Sequence, residues 1–255
     1  MNNQRDSLNT PKRMIIKDIL LEAWQLVSGL KWPVCWVLTL LPTAYFIVAI
    51  IITLLLHPRS MLLTIPFFII AVCTTCFVMW CTLAIVIMLG VRQAIGLPID
   101  VKVVYSQCME VKDKLLYLFL IWMSINGICV LVQHVLIPSN TIGMILNIAL
   151  DLITLYCTLP LMIFALPLIV TKRCDLQYAL ENAYNIMNQY WFVIIACYVI
   201  MMIISAISAI PLGIGLLWTI PMYYAMAGVL FRNAYGLKRN SGPSSHPVER
   251  LRVSS

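Results

Sequence analysis

Few side chains in this chain have the type and spacing to do chemistry, and those few lie inside apolar stretches. They are His134, Asn147, Asp151 and Asn126, with His57 at the end of another stretch. An ionisable group in a lipid-like setting is costly unless it serves a proton, a ligand or a partner side chain. Pro138-Ser139-Asn140-Thr141 predicts a turn between two apolar stretches, which sets His134 opposite Asn147. Asp151 follows Asn147 at i+4 and so shares its helical face. A His134–Asn147–Asp151 group has two readings. It could take a proton, a lipid headgroup or a cation, or it could tie two helices together by hydrogen bonds. Asn126 lies roughly 18 Å along a helix from Lys114, nearest the middle of its stretch. With Gly127 it would suit close helix packing with a side-chain hydrogen bond, or a ligand contact.

The nine cysteines carry less chemistry than their number suggests. Cys73 and Cys76 are three apart, with Cys81 just beyond. Two thiols on one helix fall short of the four ligands of a structural zinc site. That leaves a soft-metal path for copper, or small polarizable packing residues. No cysteine falls in an expected outer loop, so all nine are expected as free thiols. The sequence contains no glycine-rich phosphate loop, no His-Glu-x-x-His and no Gly-x-Ser-x-Gly. It therefore nominates no catalytic residue, no metal site and no cofactor, and the expectation is a protein that is not an enzyme.

The elements that must position these residues are six apolar stretches, 33–56, 61–89, 115–137, 142–170, 191–210 and 212–230. Each has the roughly 20 residues that a helix needs to cross a bilayer. Hydrophobic residues make up 62% of the chain and charged residues 11%, against about 25% charged in soluble domains. Transmembrane β-strands alternate apolar and polar residues over about 10 positions. A run such as Phe46-Ile47-Val48-Ala49-Ile50-Ile51-Ile52 does not alternate. Backbone polar groups in lipid must be satisfied within the segment, so helices are predicted: an all-α integral membrane fold. The first 31 residues are polar and amphipathic, without the pattern of a cleavable signal peptide.

The net charge of +7 would point to nucleic acid if its placement were ignored. Of the 17 Lys and Arg residues, only Arg59 falls on the far side of the predicted spans. By the positive-inside rule both termini are cytoplasmic. The charge is then explained by topology and by anionic headgroups, and nucleic acid is not an expected partner.

Laying the polar segments over one another reveals a repeat. Ala23-Trp24-Gln25-Leu26-Val27-Ser28 and Ala183-Tyr184-Asn185-Ile186-Met187-Asn188 share a pattern, and a weaker middle copy centres on Tyr105. Trp32 and Trp191 follow the outer two copies at the expected membrane edge. Each unit reads as an interfacial amphipathic helix followed by a transmembrane hairpin. In the first copy Ile15, Ile16, Ile19, Leu20, Ala23 and Val27 form the apolar stripe, while Lys17, Asp18, Glu22 and Gln25 fill the other positions. Thr10-Pro11 reads as its N-cap. The units are 11–92, 97–173 and 175–236 in one membrane domain, 1–236, and 237–255 is expected to be a disordered cytoplasmic tail.

Ala179-Leu180-Glu181-Asn182-Ala183-Tyr184 with Tyr190-Trp191, then Leu212-Gly213-Ile214-Gly215-Leu216-Leu217-Trp218-Thr219-Ile220-Pro221, resembles a group of small bacterial six-span proteins. These include the YciC-like inner-membrane proteins and the membrane domain attached to some glycerophosphodiester phosphodiesterases. The resemblance is sharp over residues 176–236 and implies fold and an inner-membrane location. It nominates no catalytic residue, and the soluble catalytic domain of the phosphodiesterases is absent from this sequence. The expected role is a non-enzymatic component organising lipids or partner proteins; the alternative is a small-solute or ion transporter, to which Pro42, Pro66, Pro160, Pro167 and Pro221 within the spans also point.

Overall fold

The computed structural model describes residues 14–56, 61–136, 141–210, 215–237 and 239, without the side chains of 52–56, 61–69, 136, 141 and 142. Thr10, Pro11, His57, Arg59, the 138–140 turn, Gly213 and almost all of the expected tail lie outside it. The described residues are helical apart from short connections: α1 (Ile16–Leu56), α2 (Met61–Ile95), α3 (Val101–Glu110), α4 (Lys112–Leu136), α5 (Thr141–Pro160), a π-helical segment (Leu161–Ala165), α6 (Leu166–Lys172), α7 (Leu176–Ala209) and α8 (Leu216–Ala234).

Five candidate spans are long and apolar enough to cross a membrane, on α1, α2, α4, α5 through α6, and α7. This is the build of a membrane-embedded protein. The stretch expected as a sixth span forms α8, a 19-residue helix that is not among them. Its sequence explains why. Arg232, Asn233, Tyr223, Tyr224 and Pro221 dilute its apolar content, and protein surrounds most of its surface, so lipid does not set its composition.

The core lies where α1, α2 and α8 meet. From α1 come Ile19, Ala23, Leu26, Leu30 and Val34, spaced three or four apart so that they form one stripe. From α2 come Trp80 and residues 84–91, and from α8 nearly every residue between Thr219 and Arg232. Between apolar helices in lipid there is little hydrophobic driving force, so close packing carries the association. Gly90 and Gly228 provide it. A Cβ on Gly90 would stand 2.1 Å from the Tyr224 carbonyl oxygen, and one on Gly228 would stand 2.2 Å from that of Gly90. The two backbones touch, and no side chain fits between them.

The amphipathic segments are built differently from the expected separate surface helices. Residues 16–31 continue without a break into the rest of α1, a helix of 41 residues. In α7 the corresponding stretch is joined through a kink at Tyr190 (φ −122°, ψ 17°). Only the middle one, α3, is a separate helix. It starts at Asp100, whose carboxylate accepts from the Lys102 and Val103 amides at 2.9 and 3.4 Å, and ends at Val111. Helix propagation adds one hydrogen bond per residue, so a sequence without a stop signal runs on. Neither Gly29 nor Pro33 stops α1.

Candidate functional site

The most buried charge in the described chain is one that sequence reasoning assigned to the membrane surface. Arg232, in the last turn of α8, is buried in the core. Its Nη1 and Nη2 donate to both carboxylate oxygens of Glu22 on α1, the second at 2.7 Å. Nη1 also donates to the Ala94 carbonyl of α2 at 3.2 Å, and Nη2 to Asn233 Oδ1 at 2.9 Å. A planar guanidinium matches a carboxylate with two parallel bonds, and its further donors meet backbone and amide oxygens. One side chain thus joins three helices. The signal was present in the sequence: Glu22 lies three residues after Ile19 and four before Leu26, on the buried stripe and not opposite it.

The predicted α4–α5 cluster is only partly assembled. Asp151 accepts from Gln133 Nε2 at 2.7 Å, so the residue before His134 is its partner. Both His134 and Asp151 are exposed. Asn147 Oδ1 is buried and meets no donor among the described residues. One position along a helix rotates a side chain by about 100°, so a turn predicted from sequence cannot choose between Gln133 and His134. A second cross-link follows below, where Thr154 Oγ1 donates to Cys129 Sγ at 2.9 Å. Asn126 is spent on its own helix, with Nδ2 donating to the Trp122 carbonyl at 2.7 Å. Gly127 makes no close packing, since a Cβ there would meet nothing within 4 Å.

The expected anchors divide into two kinds. Trp24, Tyr105, Trp32 and Trp191 are exposed. Tyr184 instead turns inward, and its hydroxyl donates to the Cys157 carbonyl at 2.9 Å. That carbonyl lies just before Pro160 and the π-helical segment, where proline removes an amide and the i→i−4 ladder is disturbed. The Tyr156 hydroxyl bonds Asn188 next to it. Trp24 and Tyr184, aligned by the repeat, therefore play different parts.

Other contacts had no warning in the sequence. Trp80 of α2 packs against Phe119 and Trp122 of α4 at ring-centroid distances of 5.8 and 5.3 Å. Tyr45 of α1 bonds the hydroxyls of Thr74 and Thr75 on α2 at 2.7 and 3.2 Å. Lys31 Nζ stands 3.5 Å from the ring centre of Trp218. Glu110 and Arg173 pair in the open, at side-chain exposures of 46% and 64%. Lys114 Nζ donates to the Cys174 carbonyl at 2.8 Å.

The described cysteines are free. Burial, reinforced by the Cys81 thiol, pushes Cys108 on α3 up to about 12, which keeps it protonated and unreactive. Among the described residues no three His, Cys, Asp or Glu side chains gather as a metal site would require. No family model, no curated protein and no solved structure matches this chain.

Proposed function

We propose that this protein is a non-enzymatic component of the bacterial inner membrane, with both termini cytoplasmic, that organises lipids or partner proteins around its helices. Three tandem units, each an amphipathic segment followed by a hairpin, belong to the same proposal, as does the kinship with YciC-like proteins. A hairpin returns the chain to the side it left, so the charge bias places the termini whichever depth α7 and α8 reach.

One observation carries this reading. Tyr45, Asn126, Gln133, Asp151 and Thr154 spend their polar groups in bonds from helix to helix or back to the same helix, while much of the surface left over is apolar. Ile47, Ile128, Leu131, Val135, Met144, Phe192, Met202 and Ile207 are all more than half exposed. Surface of that kind meets acyl chains or another membrane helix. The exposed Trp24, Tyr105 and Trp191 suit the headgroup level.

The transporter reading rests on two specific features. The π-helical segment between Pro160 and Pro167 interrupts a span, and the Asn147 amide oxygen is buried without a partner near Asp151. Proteoliposomes separate the two readings. The expected result is flux of protons, sodium, potassium and phosphate no greater than in empty vesicles, for wild type and Asp151→Asn alike. Gradient-driven flux of any of these ions that Asp151→Asn abolishes would establish transport instead. In cells, Trp24→Ala should impair function more than Asp151→Asn; the reverse order counts against the organising role.

A further inference from the structure

Lys31 is the last charged residue of α1, and residues 32–56 carry none. At about 1.5 Å per residue they extend roughly 37 Å beyond it, slightly more than a ~30 Å hydrocarbon core. Lys31 thus stands where a bilayer around the second half of α1 ends. Its ammonium lies over two indoles, 3.5 Å from the Trp218 ring centre and 5.6 Å from that of Trp32. Trp32, Trp36 and Trp218 are exposed by 63%, 57% and 40%. Among the described residues no carboxylate pairs with this ammonium and no acceptor takes its protons.

A ring face holds a cation in place without neutralising it or using its N–H bonds. The positioned charge is left with donors to spare. Below it runs an exposed apolar stripe on the same helix, Trp36, Leu40, Ile47 and Ile51. The two features together have the form of a phospholipid: a phosphate at the cation and an acyl chain along the stripe. We propose that Lys31, Trp32 and Trp218 bind the phosphodiester of an anionic phospholipid, with the ammonium donating to a phosphate oxygen and an acyl chain lying on α1. A zwitterionic headgroup fits less well, because its own amine is repelled by Lys31. The site rests on the lipid-organising reading and gives it a headgroup class and an address.

The test uses the full chain, purified in detergent and stripped of lipid, and titrated separately with phosphatidylglycerol, phosphatidylcholine and inorganic phosphate under native mass spectrometry. Phosphatidylglycerol should be retained over phosphatidylcholine. Lys31→Gln should lose roughly fivefold in that affinity, the worth of one lysine at a charged surface. Lys31→Arg should restore it, and inorganic phosphate should neither bind nor compete. Brominated phosphatidylglycerol should quench tryptophan fluorescence less in Trp32→Phe and Trp218→Phe than in wild type. Melting is read alongside each variant. Wild-type affinity in Lys31→Gln, failure of Lys31→Arg to restore it, or equal retention of phosphatidylcholine each rejects the site. Competition by inorganic phosphate overturns the lipid as its ligand. Loss of the site with Trp24→Ala still harmful in cells would remove this address alone and leave the organising role standing.

Discussion

Arg232–Glu22 and Asp151–Gln133 are both polar pairs that join two helices, yet they sit in opposite surroundings. The first is closed in by α1, α2 and α8, and its side-chain exposures are 7% and 24%. The second lies on the α4–α5 hairpin, where Asp151 is exposed and the residues on either side of it are largely exposed too. The glycines show the same contrast. Gly90 and Gly228 are places where two backbones touch, whereas Gly127 faces open space. The difference separates a part of the molecule that holds itself together from a part whose remaining contacts must come from its surroundings. Polar residues in the first are structural, and in the second they are the ones still available to a ligand, a lipid or a partner helix.

The largest effect should come from the backbone contact. Gly228→Ala or Gly90→Ala places a methyl group against a carbonyl that no rotamer change can move away. Overpacking costs about 1–3 kcal/mol and occasionally more, and these two belong at or above the top of that range. Gly127→Ala should cost nothing, and should gain up to about 1 kcal/mol of helix propensity. Denaturation in mixed micelles measures all three. Equal stability of the Gly90 and Gly127 variants would erase the contrast.

Next comes the buried ion pair. Glu22→Ala leaves the Arg232 charge in the core and should destabilise by about 3–5 kcal/mol. The double variant Glu22→Met with Arg232→Met removes both charges and should recover most of that loss. A double variant as unstable as Glu22→Ala would mean that the guanidinium's bonds to Ala94 and Asn233 carry the contact. A smaller effect is expected at the π-helical segment. Tyr184→Phe removes a hydroxyl donor from the Cys157 carbonyl, at about 1 kcal/mol, and its destabilisation should exceed that of Tyr105→Phe, whose side chain is exposed. The smallest belongs to the hairpin. Asp151→Asn still offers Gln133 an acceptor, so its change should stay within the ~0.6 kcal/mol typical of a membrane hydrogen bond. A change comparable to that of Glu22→Ala would make the two regions alike.

Much of the helical layout was legible because it depends on local composition. Apolar runs announced the helices, and the spacing of Ile19, Ala23 and Val27 announced part of a buried face, although Ile15 of the same stripe is exposed. The candidate site was legible only in outline. Asp151 was found, but the partner was one residue away from the one expected, because a helix's rotation is set by its neighbours. Glu22 sits beside the buried stripe of its own segment, but nothing local links it to Arg232, 210 residues away. Lys31 and Trp218 are a similar case, since nothing local links them.

The sequence by itself determined that the chain is helical and that its long helices can enter a membrane. Those properties follow from each segment's own hydropathy, length and backbone hydrogen bonding. Only the tertiary structure decided which polar groups are spent and which remain free. That depends on the rotation and contact of helices from distant parts of the chain: α8 against α1 and α2 consumed the Arg232 charge, and α8 against α1 left the Lys31 ammonium held by an indole with its protons unused.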